Sequence, residues 1–116
     1  MKNHNLLQRL GYAWSGLKTS WSSEKSFRTQ VGGFVFVIVV LFVTQPNPVW
    51  WALLLLTSGG VLTAELINTA VEKLLDHLHP DQHPMLKTVK DTLAGAVLVI
   101  SVTALLVFST FLWSRL

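Results

Sequence analysis

Residues 29–64 read TQVGGFVFVIVVLFVTQPNPVWWALLLLTSGGVLTA, with no charged side chain among them. The hydrocarbon core of a bilayer is about 30 Å thick and takes about 20 helical residues to cross, so this stretch is too long for one span. Gln45-Pro46-Asn47-Pro48 divides it. Asn47 is an N-cap type and Pro48 suits the first helical turn, so a second helix is predicted to start there. Trp50 and Trp51 then stand where an aromatic belt belongs. The first span is read as residues 29–45 and the second as 48–76.

The second helix outlasts the membrane. Only about its first 20 residues fit in hydrocarbon, and its end reads Glu65-Leu66-Ile67-Asn68-Thr69-Ala70-Val71-Glu72-Lys73-Leu74-Leu75-Asp76. Spacings of three and four put Glu65, Asn68, Thr69, Glu72 and Asp76 within one arc of roughly 100°. Leu66, Ile67, Ala70, Val71 and Leu74 take the other face. Carboxylates so close to lipid are costly unless they face a partner, an ion or water, and they mark a working site.

Residues 77–86 form a loop broken by Pro80 and Pro84, and residues 87–116 make the third span, charge-free from Thr92 to Ser114. Upstream, Leu6, Leu10, Trp14, Leu17 and Trp21 recur at helical spacing, opposite Gln8, Arg9, Ser15, Lys18 and Ser22. Residues 1–28 are therefore read as an amphipathic helix on the membrane surface, not a signal peptide. Small residues at Gly60, Ala64, Ala94, Gly95 and Ala96 suit close helix contact.

Composition agrees. Of 116 residues 51% are hydrophobic and 13% charged, and the mean hydropathy is +0.49, values of a membrane protein in one unit, residues 1–116. The absence of cysteine excludes disulfide and thiolate chemistry. The net charge of +3 comes largely from Lys2, Arg9, Lys18, Lys25 and Arg28, which suit topology and lipid headgroups, not nucleic acid. These residues, with Lys73, Lys87 and Lys90 around the second loop, put the N-terminus and residues 77–86 in the cytoplasm by the positive-inside rule.

Glu65, Asn68, Glu72 and Asp76 have the hard oxygens that hold Mg²⁺, or supply a general base; a solvated helix end is the alternative. Glu24, level with the same face, is a candidate second ligand. Lys90 suits phosphate and Asp91 a helix cap, or both are topology determinants. His77, His79 and His83 give only a weak transition-metal signal, and no GxxxxGK[ST], GxGxxG or HExxH occurs. An ion or proton translocator would place such carboxylates nearer mid-membrane.

Three elements carry a family resemblance. Glu24-Lys25-Ser26-Phe27-Arg28 resembles an E-x-x-F-R element. Residues 65–72 resemble the signature E-[IL]-[LI]-N-[ST]-A-[IV]-E, and Lys87-x-x-Lys90-Asp91 with Ala94-Gly95-Ala96-Val97-Leu98 resembles K-D-x-x-[AS]-[AG]-A-V-L. Together they are similar to the prokaryotic diacylglycerol kinase and undecaprenol kinase family of small integral-membrane lipid kinases. The resemblance implies an all-α membrane protein, a surface helix and three spans per subunit, assembled as a homotrimer in the bacterial inner membrane. It implies transfer of the γ-phosphate of ATP, with Mg²⁺, to a lipid alcohol, diacylglycerol before undecaprenol. Carried over by position, Glu65 is the catalytic base, and Glu24 and Glu72 are metal carboxylates that also meet the nucleotide. Asn68, Lys90, Asp91, Tyr12, Asp81 and His83 are nucleotide contacts; Trp14, Arg28 and Ala94 join Glu65 on the lipid side. Asn5 departs from the arginine that diacylglycerol-acting members can carry there, with Arg9 one turn away. Ala94 stands where some members have serine.

Overall fold

The computed structural model describes residues 3–81 and 83–116; Lys2 of the basic N-terminal set and Gln82 of the second loop lie outside the described residues. Among the described residues four helices follow in order: α1 (Leu6–Ser23), α2 (Lys25–Thr44), α3 (Pro48–Leu78) and α4 (Pro84–Ser114). The last three are each long and apolar enough to cross a membrane. α3 is the centre of the arrangement, packed on α4 and α2, and α1 meets chiefly α2.

The boundaries follow from local chemistry. Asn5 caps α1: its side chain accepts from the Gln8 amide while the Gln8 side chain accepts from the Asn5 amide, satisfying two orphan donors reciprocally. Asn47 caps α3 by accepting from the Val49 amide at 3.0 Å, with Pro48 at the first helical position as expected. At the other end of that turn Gln45 adopts a left-handed conformation, φ 43°, that closes α2.

Four expectations need correction. The surface helix stops at Ser23 and not residue 28, because Glu24 takes an extended conformation and starts a new helix; Lys25 and Arg28 therefore belong to the first turn of α2. α3 runs two residues past Asp76, and α4 starts at Pro84, so the second loop shrinks to the residues between Leu78 and Pro84. Asp91 does not cap α4. It lies inside the helix, and His83 takes the cap, its ring Nδ1 accepting from the Met85 amide at 3.1 Å ahead of Pro84. Gly95 has no close neighbour in the chain, whereas a Cβ at Gly60 would meet Ile100 Cδ1 at 3.3 Å. The close approach of α3 and α4 is thus made at Gly60.

The buried core is small and lies at the turn end. Leu41 of α2, Leu54 of α3 and Phe111 of α4 meet there, flanked by Val37, Val40, Trp50, Trp51 and Phe108. Trp50 and Phe111 meet edge-on with centroids 5.5 Å apart, an arrangement that adds to simple burial. Elsewhere large apolar side chains such as Leu56, Ile67, Leu98 and Val99 are exposed, which suits surfaces turned to lipid or to another copy.

Candidate active site

Along α3 the buried residues are Leu54, Thr57, Val61, Glu65 and Thr69. Their spacings of three and four make one line down the helix. The line that packs the core at its apolar start therefore turns polar at Glu65, and the carboxylate looks inward instead of at lipid. Glu65 lies roughly 25 Å along the helix from Pro48, at 1.5 Å per residue, near the far limit of the hydrocarbon. It is 6% exposed.

A carboxylate in that position needs a donor. The Ser26 hydroxyl supplies one, donating to Glu65 Oε2 at 3.3 Å from the first turn of α2. The helix end itself also favours the charge: the Glu24 side chain makes no cap bond there, and the free N–H groups and dipole of a helix N-terminus attract an anion. Buried Phe27 anchors that turn. Lys73 Nζ donates to Ser23 Oγ at 2.9 Å, tying α3 to the end of α1. Arg28 donates to the Trp21 carbonyl at 2.6 Å. Arg28, expected on the lipid side, thus braces the α1–α2 junction.

Asn68, one turn beyond Glu65, has a buried Oδ1 with no partner. Further along, Lys90 of α4 donates to Asp76 at 2.5 Å, and Lys87 to Asp91 at 2.6 Å. Both pairs are substantially solvated, so they order side chains more than they stabilise the fold. Lys90 is thereby aimed back at α3, with its remaining donors free for a phosphate. Asp81 and His83 border a concavity of about 460 Å³ with Leu78, His79 and Met85.

Not every predicted residue joins this cluster. Tyr12 and Trp14 are exposed on α1, and the Tyr12 hydroxyl meets His4 Nδ1 at 3.3 Å. Ala94 is exposed on α4. Among the described residues no three histidine or carboxylate side chains converge as a metal cage, neither Glu24 and Glu72 with a third nor the loop histidines. The oxygens do fit a looser mode. Mg²⁺ is commonly held by one or two carboxylates plus substrate phosphates, and Asn68 Oδ1 is a buried oxygen still lacking a partner. A separate groove of about 360 Å³, lined by Phe34, Val37, Leu54 and Phe108 among others, lies deeper between α2, α3 and α4 and contains none of these groups.

Ser26 and Ser23 did not stand out in the sequence. Nothing in an exposed serine's neighbours announces a bond to a residue 39 positions away. The pairing of Asp76 with Lys90 was open to inference, since opposite charges flank a short loop between antiparallel helices.

The fold and this cluster together describe a small three-span membrane protein with a buried carboxylate at one membrane face. The sequence profile of the prokaryotic diacylglycerol kinases matches residues 11–112, and the chain belongs to that family. It is 34% identical to a diacylglycerol kinase of Helicobacter pylori (strain J99), over 95% of this chain and 82% of that protein. Identity to the Escherichia coli K12 diacylglycerol kinase is 26%, over 95% of this chain and 90% of the relative. An undecaprenol kinase of Bacillus subtilis is 29% identical over 83% of this chain and 78% of its own length.

Proposed function

We propose that this chain is a lipid kinase that moves the γ-phosphate of ATP onto the hydroxyl of diacylglycerol, giving phosphatidic acid, at the cytoplasmic face of the bacterial inner membrane. The observation that carries this reading is Glu65: a carboxylate 6% exposed near the hydrocarbon limit of α3, where a lipid hydroxyl and a water-soluble nucleotide can both arrive. Glu65 takes the proton of the hydroxyl as its oxygen attacks the γ-phosphorus, and ADP leaves. Phosphoryl transfer asks mainly for positioning and charge neutralisation. Lys90, held by Asp76, supplies a point charge for the phosphates. Glu24 and Glu72, with Asn68, would hold Mg²⁺, which when bound neutralises charge on the transferring phosphates. Asp91, Asp81 and His83 border the nucleotide side, with Tyr12 in the N-terminal half of α1.

In this reading α1 lies on the membrane surface. Its Leu6, Leu10, Trp14, Leu17 and Trp21 are all exposed in the single chain, and lipid would cover them. Trp14 then reaches the lipid substrate from α1 and Ala94 from α4, and Arg28 positions the surface helix. The active assembly is a homotrimer, because three spans leave Glu72 only half-buried and Asn68 Oδ1 without a partner, and a neighbouring copy can complete the enclosure. Native mass spectrometry showing only active monomers would refute the trimer.

The undecaprenol kinase relative sets the competing substrate. Specificity is a ratio of kcat/KM values, so the deciding assay compares diacylglycerol and undecaprenol with ATP and Mg²⁺ in the same mixed micelles. Diacylglycerol is expected to win. A tenfold preference for the polyprenol would reassign the substrate, and no transfer to either would reject the kinase.

A further inference from the structure

The serines and threonines near the α1–α2 junction mostly turn back on their own helices. Thr19 donates to the Ser15 carbonyl, Ser22 to that of Lys18 and Thr29 to that of Lys25, the usual local solution for a helical hydroxyl. Ser26 does not. Its Oγ reaches across to α3 and donates to Glu65 Oε2. Among the described residues it is the one side chain hydrogen-bonded to that carboxylate, and the bond spans the two elements that must stay in register for the site to work.

We propose that Ser26 is the positioning residue for Glu65. This inference rests on reading Glu65 as the base. The hydroxyl engages Oε2 and so fixes the carboxyl rotamer, leaving Oε1 for the proton of the lipid hydroxyl. Glu65 has several rotatable bonds, and a loose carboxylate at a membrane face spends its time in unproductive directions; reacting groups must be held to within a fraction of an ångström. At 3.3 Å the contact is longer than the 2.5–3.0 Å of a strong O–H···O bond. Catalytic hydrogen bonds are often that long before the reacting complex forms, and shorten within it. The first turn of α2 is well placed for the role, since Phe27 and the Arg28 bond to Trp21 hold it in place. Ser26 itself is exposed, so the hydroxyl can be removed without opening a cavity.

Steady-state kinetics in mixed micelles of diacylglycerol, with ATP and Mg²⁺, tests this on four variants of the full chain: Ser26→Ala, Ser26→Thr, Glu65→Gln and the double Ser26→Ala/Glu65→Gln. Ser26→Ala is expected to lower kcat about tenfold, the scale of one hydrogen bond to a charged group. KM for both substrates and the melting temperature stay unchanged. Ser26→Thr, which keeps the hydroxyl, restores kcat to within about twofold. In the Glu65→Gln background the loss of the hydroxyl costs nothing more, because it acts only through the carboxylate. Wild-type kcat in Ser26→Ala overturns the inference, as does a threonine variant as slow as the alanine one, or an equal loss in both backgrounds. An active Glu65→Gln overturns the base assignment itself, and that outcome is read from a different variant.

Discussion

The two ends of the three-helix array are built differently. At the turn end Leu41, Leu54 and Phe111 are essentially inaccessible and aromatic rings surround them. At the α1–α2 end the buried residues are mostly polar, Ser20, Glu65 and Thr69 beside the single phenyl ring of Phe27, and single side-chain hydrogen bonds tie the helices together. The same line of α3 serves both, apolar at Leu54 and Val61 and polar at Glu65 and Thr69. Packing is concentrated at one end, where it fixes helix positions, and the other end is left polar, where groups must meet a nucleotide and a lipid head. Mutations at the two ends should therefore separate stability from activity.

The largest effect is expected at the polar end. Glu65→Gln keeps size and hydrogen-bonding capacity but loses the proposed base, and should reduce kcat by about 10²–10⁴ with little change in melting temperature. Near wild-type turnover would remove Glu65 from the reaction. At the packed end Phe111→Ala should do the reverse. Deleting a fully buried phenyl ring costs about 3–5 kcal/mol, read as a lower melting temperature in detergent, while kcat per folded enzyme stays near wild type below the transition. A Phe111→Ala variant that folds normally but turns over slowly would show that the two ends are coupled, not separate.

The fold was legible in the sequence because lipid is a demanding solvent: the uncharged run from Thr29 to Ala64 could only be two spans once Pro46 and Pro48 divided it. On α3 the spacing put Glu65 and Thr69 on one face, but not its continuation through Leu54, Thr57 and Val61, and Asp76 of the same stripe is exposed. Element ends were less legible. The break at Glu24 has no proline or glycine to announce it, and Asp91 resembled a cap in composition while His83 ahead of Pro84 did the capping. Most of the polar cluster was visible as the stripe from Glu65 to Asp76. Its partners on other helices were not, because a contact such as Ser26 to Glu65 depends on how α2 crosses α3.

A smaller effect is expected at the two carboxylates proposed to hold Mg²⁺. Glu24→Ala and Glu72→Ala should each raise the Mg²⁺ concentration needed for half-maximal rate about tenfold, with little change in KM for the lipid, since in the proposed site they are the oxygen ligands a hard cation needs. Magnesium titrations that overlay wild type for both variants would remove them from the metal site. The outcome also bears on the comparison: both residues belong to the loosely bonded end, so neither variant should melt markedly earlier.

The smallest effect tests whether the turn end is structural alone. Gln45 closes α2 in a left-handed conformation, φ 43° and ψ 59°, which costs a residue with a Cβ roughly 1–2 kcal/mol and a glycine almost nothing. Its side chain recovers part of that by donating Nε2–H to the Phe42 carbonyl at 3.1 Å, a solvated bond worth about 0.5–1 kcal/mol. Gln45→Gly loses the bond but relieves the strain, and its unfolded chain gains about 0.4–1 kcal/mol of freedom, so it should stay close to wild type. Gln45→Ala loses the bond and keeps the strain, so it should be less stable than the glycine variant by about 1 kcal/mol. Thermal unfolding of the two variants in the same detergent measures that gap directly. Equal stability would mean that residue 45 leaves the left-handed region when its side chain is shortened. Both variants should retain full kcat, because Gln45 belongs to the end of the molecule remote from Glu65.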